Sequence, residues 1–210
     1  MKSVQEILNL CYDPANKRLN TDVSVHAADL AAHTYNIGQL LRTGEYFFGV
    51  PARSASTLTP TVDFISASPI WIARNLTADR IAIEVTTAVA GGMLRLGIYN
   101  AGTNLYPGTL LLDAGEVDGS TTGVKSITIS QALTKGLYWG AVIPNSSTLV
   151  VRAWTTSYPL LGVTATGFST TYVEWYKSQA YGALPDPFPA DGTQYSIGAN
   201  VVLLRLLSLD

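Results

Sequence analysis

The sequence is poor in charge: of its 210 residues only 13% are Asp, Glu, Lys or Arg, whereas 47% are apolar. That charged fraction is about half the usual value for soluble domains, and the apolar content argues against intrinsic disorder. The 13 basic and 15 acidic residues nearly balance, so the chain lacks the basic footprint of proteins that bind nucleic acid or anionic membranes. We expect no nucleic-acid partner and a surface built largely from Ser, Thr, Gly and Tyr.

Cysteine and long apolar runs are also scarce. Cys11 is the single cysteine, which excludes an intrachain disulfide framework and a multi-cysteine zinc site. The N-terminal residues lack the apolar core of a secretion signal. The longest apolar stretch, 201–207, is interrupted by Arg205 and is far shorter than the roughly 20 residues that span a bilayer. We therefore expect synthesis in a cytoplasm and no membrane insertion.

Catalytic motifs are missing as well. The sequence has no G-x-S-x-G elbow, phosphate loop, dinucleotide fingerprint or H-E-x-x-H motif, and its only histidines are His26 and His33. Asp113, Glu116 and Asp118 are close in sequence but match no EF-hand spacing, and we interpret them as part of a polar turn. The sequence predicts no enzymatic activity, no cofactor and no metal site.

The first 43 residues hold the only long helical signals. Ser3 and Glu6 have the spacing of a capping box, and apolar residues then recur on one helical face until Pro14 ends the pattern. Residues 27–42 read as about two heptads, which fits a helix packed on its own domain, a short oligomeric stalk or an extended linker. We assign 1–43 to attachment and oligomerisation. The candidate anchoring residues are Val4, Ile7, Leu8, Cys11 and Tyr12, and the candidate seam residues are Leu30, Ile37 and Leu41.

From residue 44 the pattern changes to period two. Isoleucine, leucine and valine alternate with polar or small residues in RIAIEV (80–85) and MLRLGIY (93–99), as in half-buried antiparallel strands. Short strands with regular turn signals and no helices between them predict a mainly β fold, an antiparallel, jelly-roll-like β-sandwich over 44–210. Further strands are predicted at 110–115, 124–130, 137–143 and 148–154.

The last part of the chain begins with a long irregular stretch, 156–195, rich in Tyr, Gly and Pro. A loop of that length is usually functional or an interface. The strand that follows, 201–207, is apolar on nearly both faces, as is typical of a strand in the middle of a sheet or covered by another layer or subunit. We expect it to return into the same sandwich.

Aromatic residues give the positive functional signal. Some lie on strand faces opposite the aliphatic residues, and others lie in or near the long loop. Flat aromatic faces with amide and hydroxyl neighbours suit sugar rings, but the same residues also anchor protein interfaces or pack cores. The candidate residues for glycan or partner contact are Tyr99, Arg152, Trp154, Tyr158, Trp175, Tyr176 and Tyr181.

The series DRIAIEVTTAVAGG, MLRLGIYNAGTNLYPGTLLLDAGEV and LTKGLYWGAV resembles a β-sandwich module of the virion appendage proteins of tailed bacteriophages. The resemblance covers about residues 70 to 155, and ILNLCYDPANKRLNT is similar to the segment that attaches such proteins to the particle. It implies a virion location and a non-enzymatic structural protein, commonly a homotrimer, of a head decoration, head fibre or tail fibre. Its partners would be capsid or tail subunits, with recognition of a host-cell glycan as the alternative function. Because the sandwich starts early in the chain, a compact decoration or stubby fibre is favoured over a long tail fibre.

Overall fold

The structure is a computed structural model that describes residues 12–13, 18–19, 41–47, 54–155, 161, 173–195, 199–200 and 202–209. The chain divides into two units, Met1–Ile37 and Gly38–Asp210. The described residues hold no α-helix, and none of their elements is a helix long and apolar enough to cross a membrane.

In the first unit the described residues form two short antiparallel strands, β1 (Tyr12–Asp13) and β2 (Arg18–Leu19). Tyr12 therefore lies in extended chain at the point where the predicted helix would end. The other anchoring candidates, Val4, Ile7, Leu8 and Cys11, and the seam candidates Leu30 and Ile37 lie outside the described residues.

The second unit is built from antiparallel strands, with one 3-10 turn at Thr103–Leu105. Its described strands are β3 (Tyr46–Phe47), β4 (Ser54–Leu58), β5 (Phe64–Ile72), β6 (Leu76–Thr87), β7 (Met93–Ala101), β8 (Pro107–Asp118), β9 (Gly123–Leu133), β10 (Gly136–Pro144), β11 (Val150–Thr155), β12 (Glu174–Ser178), β13 (Thr193–Tyr195), β14 (Ala199–Asn200) and β15 (Leu203–Leu209). One sheet has six strands in the order β13-β12-β5-β10-β7-β8. The other has seven, in the order β14-β11-β6-β15-β3, with β4 paired to β11 and β9 paired to β6.

The main core lies between these two sheets. Ile81 and Ile83 of β6 point from the seven-stranded sheet into the same buried cluster as Leu94 and Leu96 of β7 in the six-stranded sheet. The aliphatic residues of both strands alternate toward this core, which is how two sheets pack face to face. The predicted mainly β fold with an antiparallel sandwich is confirmed.

The last strand returns into this sandwich as predicted. β15 lies between β6 and β3, with Leu204 and Leu206 in the core. Leu41 was predicted in a helical seam, but it lies in non-helical chain and packs partly buried against the same core. The reason is local: the chain turns at Gly44, where φ is +86°, and the Gly44 N–H donates to the Leu206 carbonyl oxygen at 2.8 Å, which ties this segment to β15.

The outer face of the six-stranded sheet carries a second, smaller core. Tyr99 and Trp139 lie on this face and are buried with Leu184 and Phe188. The last two belong to residues 181–189, which lie across one end of the sheet and which we call the covering segment. Part of the long stretch predicted as a loop is therefore ordered packing, and it also contains β12 and β13. Sequence periodicity missed β12 because its inward side chain, Glu174, is polar.

Candidate functional site

A groove of about 420 Å³ lies on the outer face of the six-stranded sheet. Its volume is in the range of small-molecule sites, about 300–1,000 Å³. Aromatic and aliphatic side chains make up most of its lining, and two amide side chains are the polar members. The described lining residues are Pro69, Asn104, Leu105, Leu137, Trp139, Leu161, Trp175 and Gln194.

Strand register brings the groove together. Trp139 of β10 is paired with Pro69 of β5, and Trp175 of β12 is paired with Ala67 two residues earlier on β5. Because side chains alternate along a strand, Leu137 points to the same face as Trp139. The two tryptophans therefore lie on one surface although 35 residues separate them in sequence.

Tyr106 packs against Trp175 and restricts the position of its ring. Its ring packs edge-on against Trp175, with centroids 4.9 Å apart and an interplanar angle of 67°. Its hydroxyl donates to the Pro189 carbonyl oxygen at 2.7 Å and accepts from the Gly192 N–H at 2.8 Å. A tryptophan that is fixed in this way offers a pre-organised ring face, which lowers the entropic cost of binding.

One wall of the groove is a strained turn. Asn104 and Leu105 both have left-handed backbone, with φ of 54° and 61°. Asn tolerates this region, but for a residue such as Leu it is uncommon. The turn leaves the Leu105 side chain 64% exposed at the edge of the groove. Strain of this kind persists where the surrounding structure enforces it and is frequent at functional sites.

Trp139 carries an unpaired donor. Its side chain is 1% exposed, and its indole Nε1–H has no hydrogen-bond acceptor among the described residues. A buried donor without an acceptor is costly, which is why nearly all such groups are paired with protein or solvent. Trp139 lines the groove, but its Nε1 is closed off from solvent, so a group in the groove could reach this donor only if neighbouring side chains moved.

A cluster of buried polar side chains lies between the two sheets, on the inner face of β5. Four buried polar side chains meet there: Ser66, Ser68, Glu174 and Asn200. Glu174 Oε2 accepts from the Asn200 N–H at 3.0 Å and from the Ser68 hydroxyl at 3.3 Å. Asn200 Nδ2 donates to Ser66 Oγ at 3.0 Å. The cluster joins β12 of one sheet to β14 of the other.

Burial dominates the electrostatics of this cluster. It raises the pKa of Glu174 to about 8, against the opposing effect of the hydrogen bonds from Asn200 and Ser68. No described cation lies against this carboxyl to favour its charged form. At neutral pH the group is therefore largely protonated, as expected for a carboxyl taken out of water without a charged partner.

Asp113, in the acidic stretch, connects the six-stranded sheet to the covering segment by hydrogen bonds. Arg95 donates from Nε to Asp113 Oδ1 at 2.9 Å and from Nη2 to Oδ2 at 2.8 Å, and the Leu184 N–H donates to Oδ2 at 3.1 Å. Burial alone would raise the pKa of Asp113, but these hydrogen bonds and the Arg95 charge hold it below its usual value. Within the described ranges no three His, Cys, Asp or Glu side chains are grouped as metal ligands.

The structure does not bring the predicted contact residues together. Tyr99 is fully buried beneath the covering segment, and its hydroxyl donates to the Pro185 carbonyl oxygen at 2.7 Å, so it belongs to a core and not to a contact surface. Arg152 and Trp154 lie in β11 of the seven-stranded sheet, where Arg152 makes two hydrogen bonds to Glu84, at 2.9 and 3.0 Å.

The remaining candidates are equally dispersed. Tyr176 is partly buried and stacks on Phe64, with centroids 5.4 Å apart, beside the Glu174 cluster. Tyr181 begins the covering segment, and its N–H donates to Asp63 Oδ1 at 2.9 Å. Tyr158 lies outside the described residues. Trp175 is the one candidate that lines the groove.

Sequence reasoning missed Trp139, Asn104 and Gln194. A signal for Trp139 was present, because in LYWGAVI it alternates with Tyr138 and Gly140 and shares a face with Leu137. Asn104 and Gln194 had no comparable signal, since they reach the groove only through the pairing of strands and the geometry of a turn.

Comparison of the chain with protein-family models, with curated proteins and with solved structures finds no match. The resemblance to phage appendage proteins therefore stays a prediction. The groove has to be interpreted from its own chemistry.

Proposed function

We propose that the protein is a non-enzymatic structural component of a tailed-phage virion, a short fibre or decoration protein attached to the particle by its N-terminal segment. The supporting observation is where the resembling residues lie. LRLGIY, PGTLLLDAG and GLYW fall in β7, β8 and β10, which are neighbours in the six-stranded sheet. The resemblance thus follows one continuous part of the sandwich, and the separate N-terminal unit is suited to attachment.

Particle fractionation tests this proposal. Phage particles purified from a lysate that contains the full chain are expected to carry it, and the isolated protein is expected to scatter light as a trimer. Replacing Ile7 and Leu8 by Ser is expected to move the protein from the particle fraction to the free fraction. The matched control is Val124→Ser, at a site 59% exposed on β9. Absence from particles, or a monomer of 22.4 kDa at micromolar concentration, would contradict the proposal.

As a second function we propose recognition of a host-cell glycan, which the groove favours. Sugar rings present apolar C–H surface that stacks on aromatic faces, and hydroxyl groups that pair with amides. Trp175 offers the ring face, and Asn104 and Gln194 offer the amides. The groove is the single observation on which this second function depends.

Titration of the full-length protein with neutral oligosaccharides tests the second function. Trp175→Ala is expected to weaken binding by about tenfold or more, since a stacked ring and its buried area are lost. Trp154→Ala, the same change in the other sheet, is expected to leave affinity unchanged. Circular dichroism on both variants separates lost contacts from unfolding. Equal loss in the two variants would count against the groove as the glycan site.

A further inference from the structure

The unpaired Trp139 donor restricts what the groove can hold. Its Nε1–H lies on a side chain that is 1% exposed, and no acceptor for it exists among the described residues. An indole N–H donates only and cannot accept. Because Nε1 itself is closed off from solvent, a ligand that completes this group must bring an acceptor oxygen to the groove and displace the side-chain atoms that cover the indole N–H.

The rest of the lining restricts the ligand's charge. The side chains of Pro69, Leu105, Leu137 and Leu161 are apolar, and the polar groups are the neutral amides of Asn104 and Gln194. No described lining residue carries a charge. A charged sugar, such as a uronic or sialic acid, would be desolvated there without an opposite charge, which is unfavourable.

Shape and chemistry together favour one substituent. An acetamido group has a carbonyl oxygen for a donor-only partner, an N–H for an amide oxygen and a methyl group for apolar walls. Trp139, the amides of Asn104 and Gln194, and the leucine side chains provide these three partners within one groove. A plain hydroxyl would leave the apolar part of the lining without a matching group.

We propose that the groove binds neutral saccharides bearing an N-acetylated amino sugar, with the acetamido carbonyl accepting from Trp139 Nε1–H and the sugar ring stacked on Trp175. This inference rests on the second proposed function and gives it a ligand class. The experiment therefore has to separate the loss of acetamido selectivity from the loss of glycan binding altogether.

Calorimetry with two matched tetrasaccharides makes that separation. The probes are the β-1,4-linked tetramer of N-acetylglucosamine and cellotetraose, which differ only in having acetamido or hydroxyl groups at carbon 2. We expect the acetylated tetramer to bind about tenfold more tightly, the equivalent of one desolvated hydrogen bond with its apolar contact. The same comparison with N-acetylgalactosamine and galactose shows whether the preference follows the acetamido group or one sugar.

Two variants test whether the preference for the acetylated tetramer depends on the Trp139 Nε1–H donor. Trp139→Phe keeps an aromatic ring and removes the N–H, and it is expected to reduce the tenfold preference to about twofold or less. Trp154→Phe removes the same group from the seven-stranded sheet and is expected to retain the full preference. In the native protein, the Trp139 indole N–H resonance is expected to shift on addition of the acetylated tetramer, and the Trp154 resonance is expected to stay in place.

Three results would overturn the inference, each in a distinguishable way. Equal affinity for the two tetramers would leave glycan binding in place and remove the acetamido assignment. A preference that survives Trp139→Phe in a folded variant would move the acetamido contact elsewhere. No binding of any neutral sugar at millimolar concentration would remove both this inference and the second proposed function.

Discussion

The two faces of the six-stranded sheet differ in how most of their buried polar groups are paired, although each face has an atom without a partner among the described residues, Asn200 Oδ1 on the inner face and Trp139 Nε1 on the outer. On the inner face, Ser68 and Glu174 hydrogen-bond to Asn200 of the facing sheet. On the outer face, the Tyr99 hydroxyl donates to the Pro185 carbonyl oxygen of the covering segment, whereas the indole N–H of its cross-strand partner Trp139 has no described acceptor. Because the strands are shared, the difference comes from what lies over each face and not from the sheet itself.

Paired and unpaired buried polar groups have different consequences for the protein. Polar groups that the chain pairs with itself stabilise the fold and specify how its layers meet. A buried polar group that the described chain leaves unpaired costs stability instead, because its hydrogen bond to water is lost and not replaced.

The largest effect is expected where the covering segment is anchored. Phe188 is buried and packs edge-on against Tyr99 and Tyr106, at centroid distances of 5.4 and 5.7 Å. Phe188→Ala is expected to lower the free energy of unfolding by about 3–4 kcal/mol, because a large buried ring is replaced by a cavity. Urea unfolding measures it. Truncation of the exposed Leu105 to Ala is the control, expected to change stability by less than about 0.5 kcal/mol.

The pH dependence of the free energy of unfolding tests the Glu174 cluster on the inner face. The pKa of Glu174 is raised from 4.5 to about 8 in the folded state, so between these values the folded chain binds more protons than the unfolded chain. Stability from this group is therefore present at low pH and lost as the pH rises from about 5 to about 8, on the order of 2–4 kcal/mol in total.

Glu174→Gln is the variant that tests this sign. Gln keeps the neutral shape and cannot ionise, so the decline in unfolding free energy across that pH range is expected to flatten. Thermal unfolding at a series of pH values measures the slope. A native protein that becomes more stable over this range would show that the buried carboxyl is ionised in the fold.

A smaller effect is expected at the covered end of the outer face. Tyr99→Phe removes the hydroxyl that donates to the Pro185 carbonyl oxygen, and it is expected to cost about 1 kcal/mol of stability. Tyr138→Phe is the matched control, since its hydroxyl lies 3.0 Å from Thr134 Oγ1 in an exposed pair. If the two variants lose equal stability, the covering segment is not held by this hydrogen bond.

The smallest effect is expected at the open end. Leu105→Asn places a residue that tolerates left-handed backbone at φ 61°, and it is expected to raise the unfolding free energy by about 0.5 kcal/mol. The same change removes an apolar wall of the groove and is expected to weaken binding of the acetylated tetramer. Unfolding and titration of one preparation measure both. A variant that gains affinity would contradict the role given to Leu105.

Sequence predicted the sandwich well because its strands obey a simple rule. In β7 Leu94, Leu96 and Ile98 face the core, as Ile81, Ile83 and Val85 do in β6, so periodicity alone locates these strands and their buried faces. The rule fails at β12, where the inward residue is Glu174, and at Leu41, which lies in non-helical chain before a turn at Gly44. Both failures occur where a tertiary contact decides the local structure.

The groove was less predictable for a physical reason. Its described residues come from β5, β10, β12, β13, the turn after β7 and Leu161, which lies outside these elements, and the residues on strands share one surface because of cross-strand register. Aromatic content indicated a contact surface and correctly included Trp175. It also included Tyr99, because the sequence does not tell which outward aromatic residue another segment will cover.

Gly97 lies directly beneath the covering segment. A Cβ atom built at this position would overlap the Leu184 side chain and the Leu112 carbonyl oxygen, so the segment rests on bare backbone. One added methyl group would force the Leu184 side chain and the β8 backbone at Leu112 to shift, which would loosen the packing of residues 181–189 on the sheet. Gly97 is therefore the position at which the sequence lets the covering segment approach the backbone of the sheet directly.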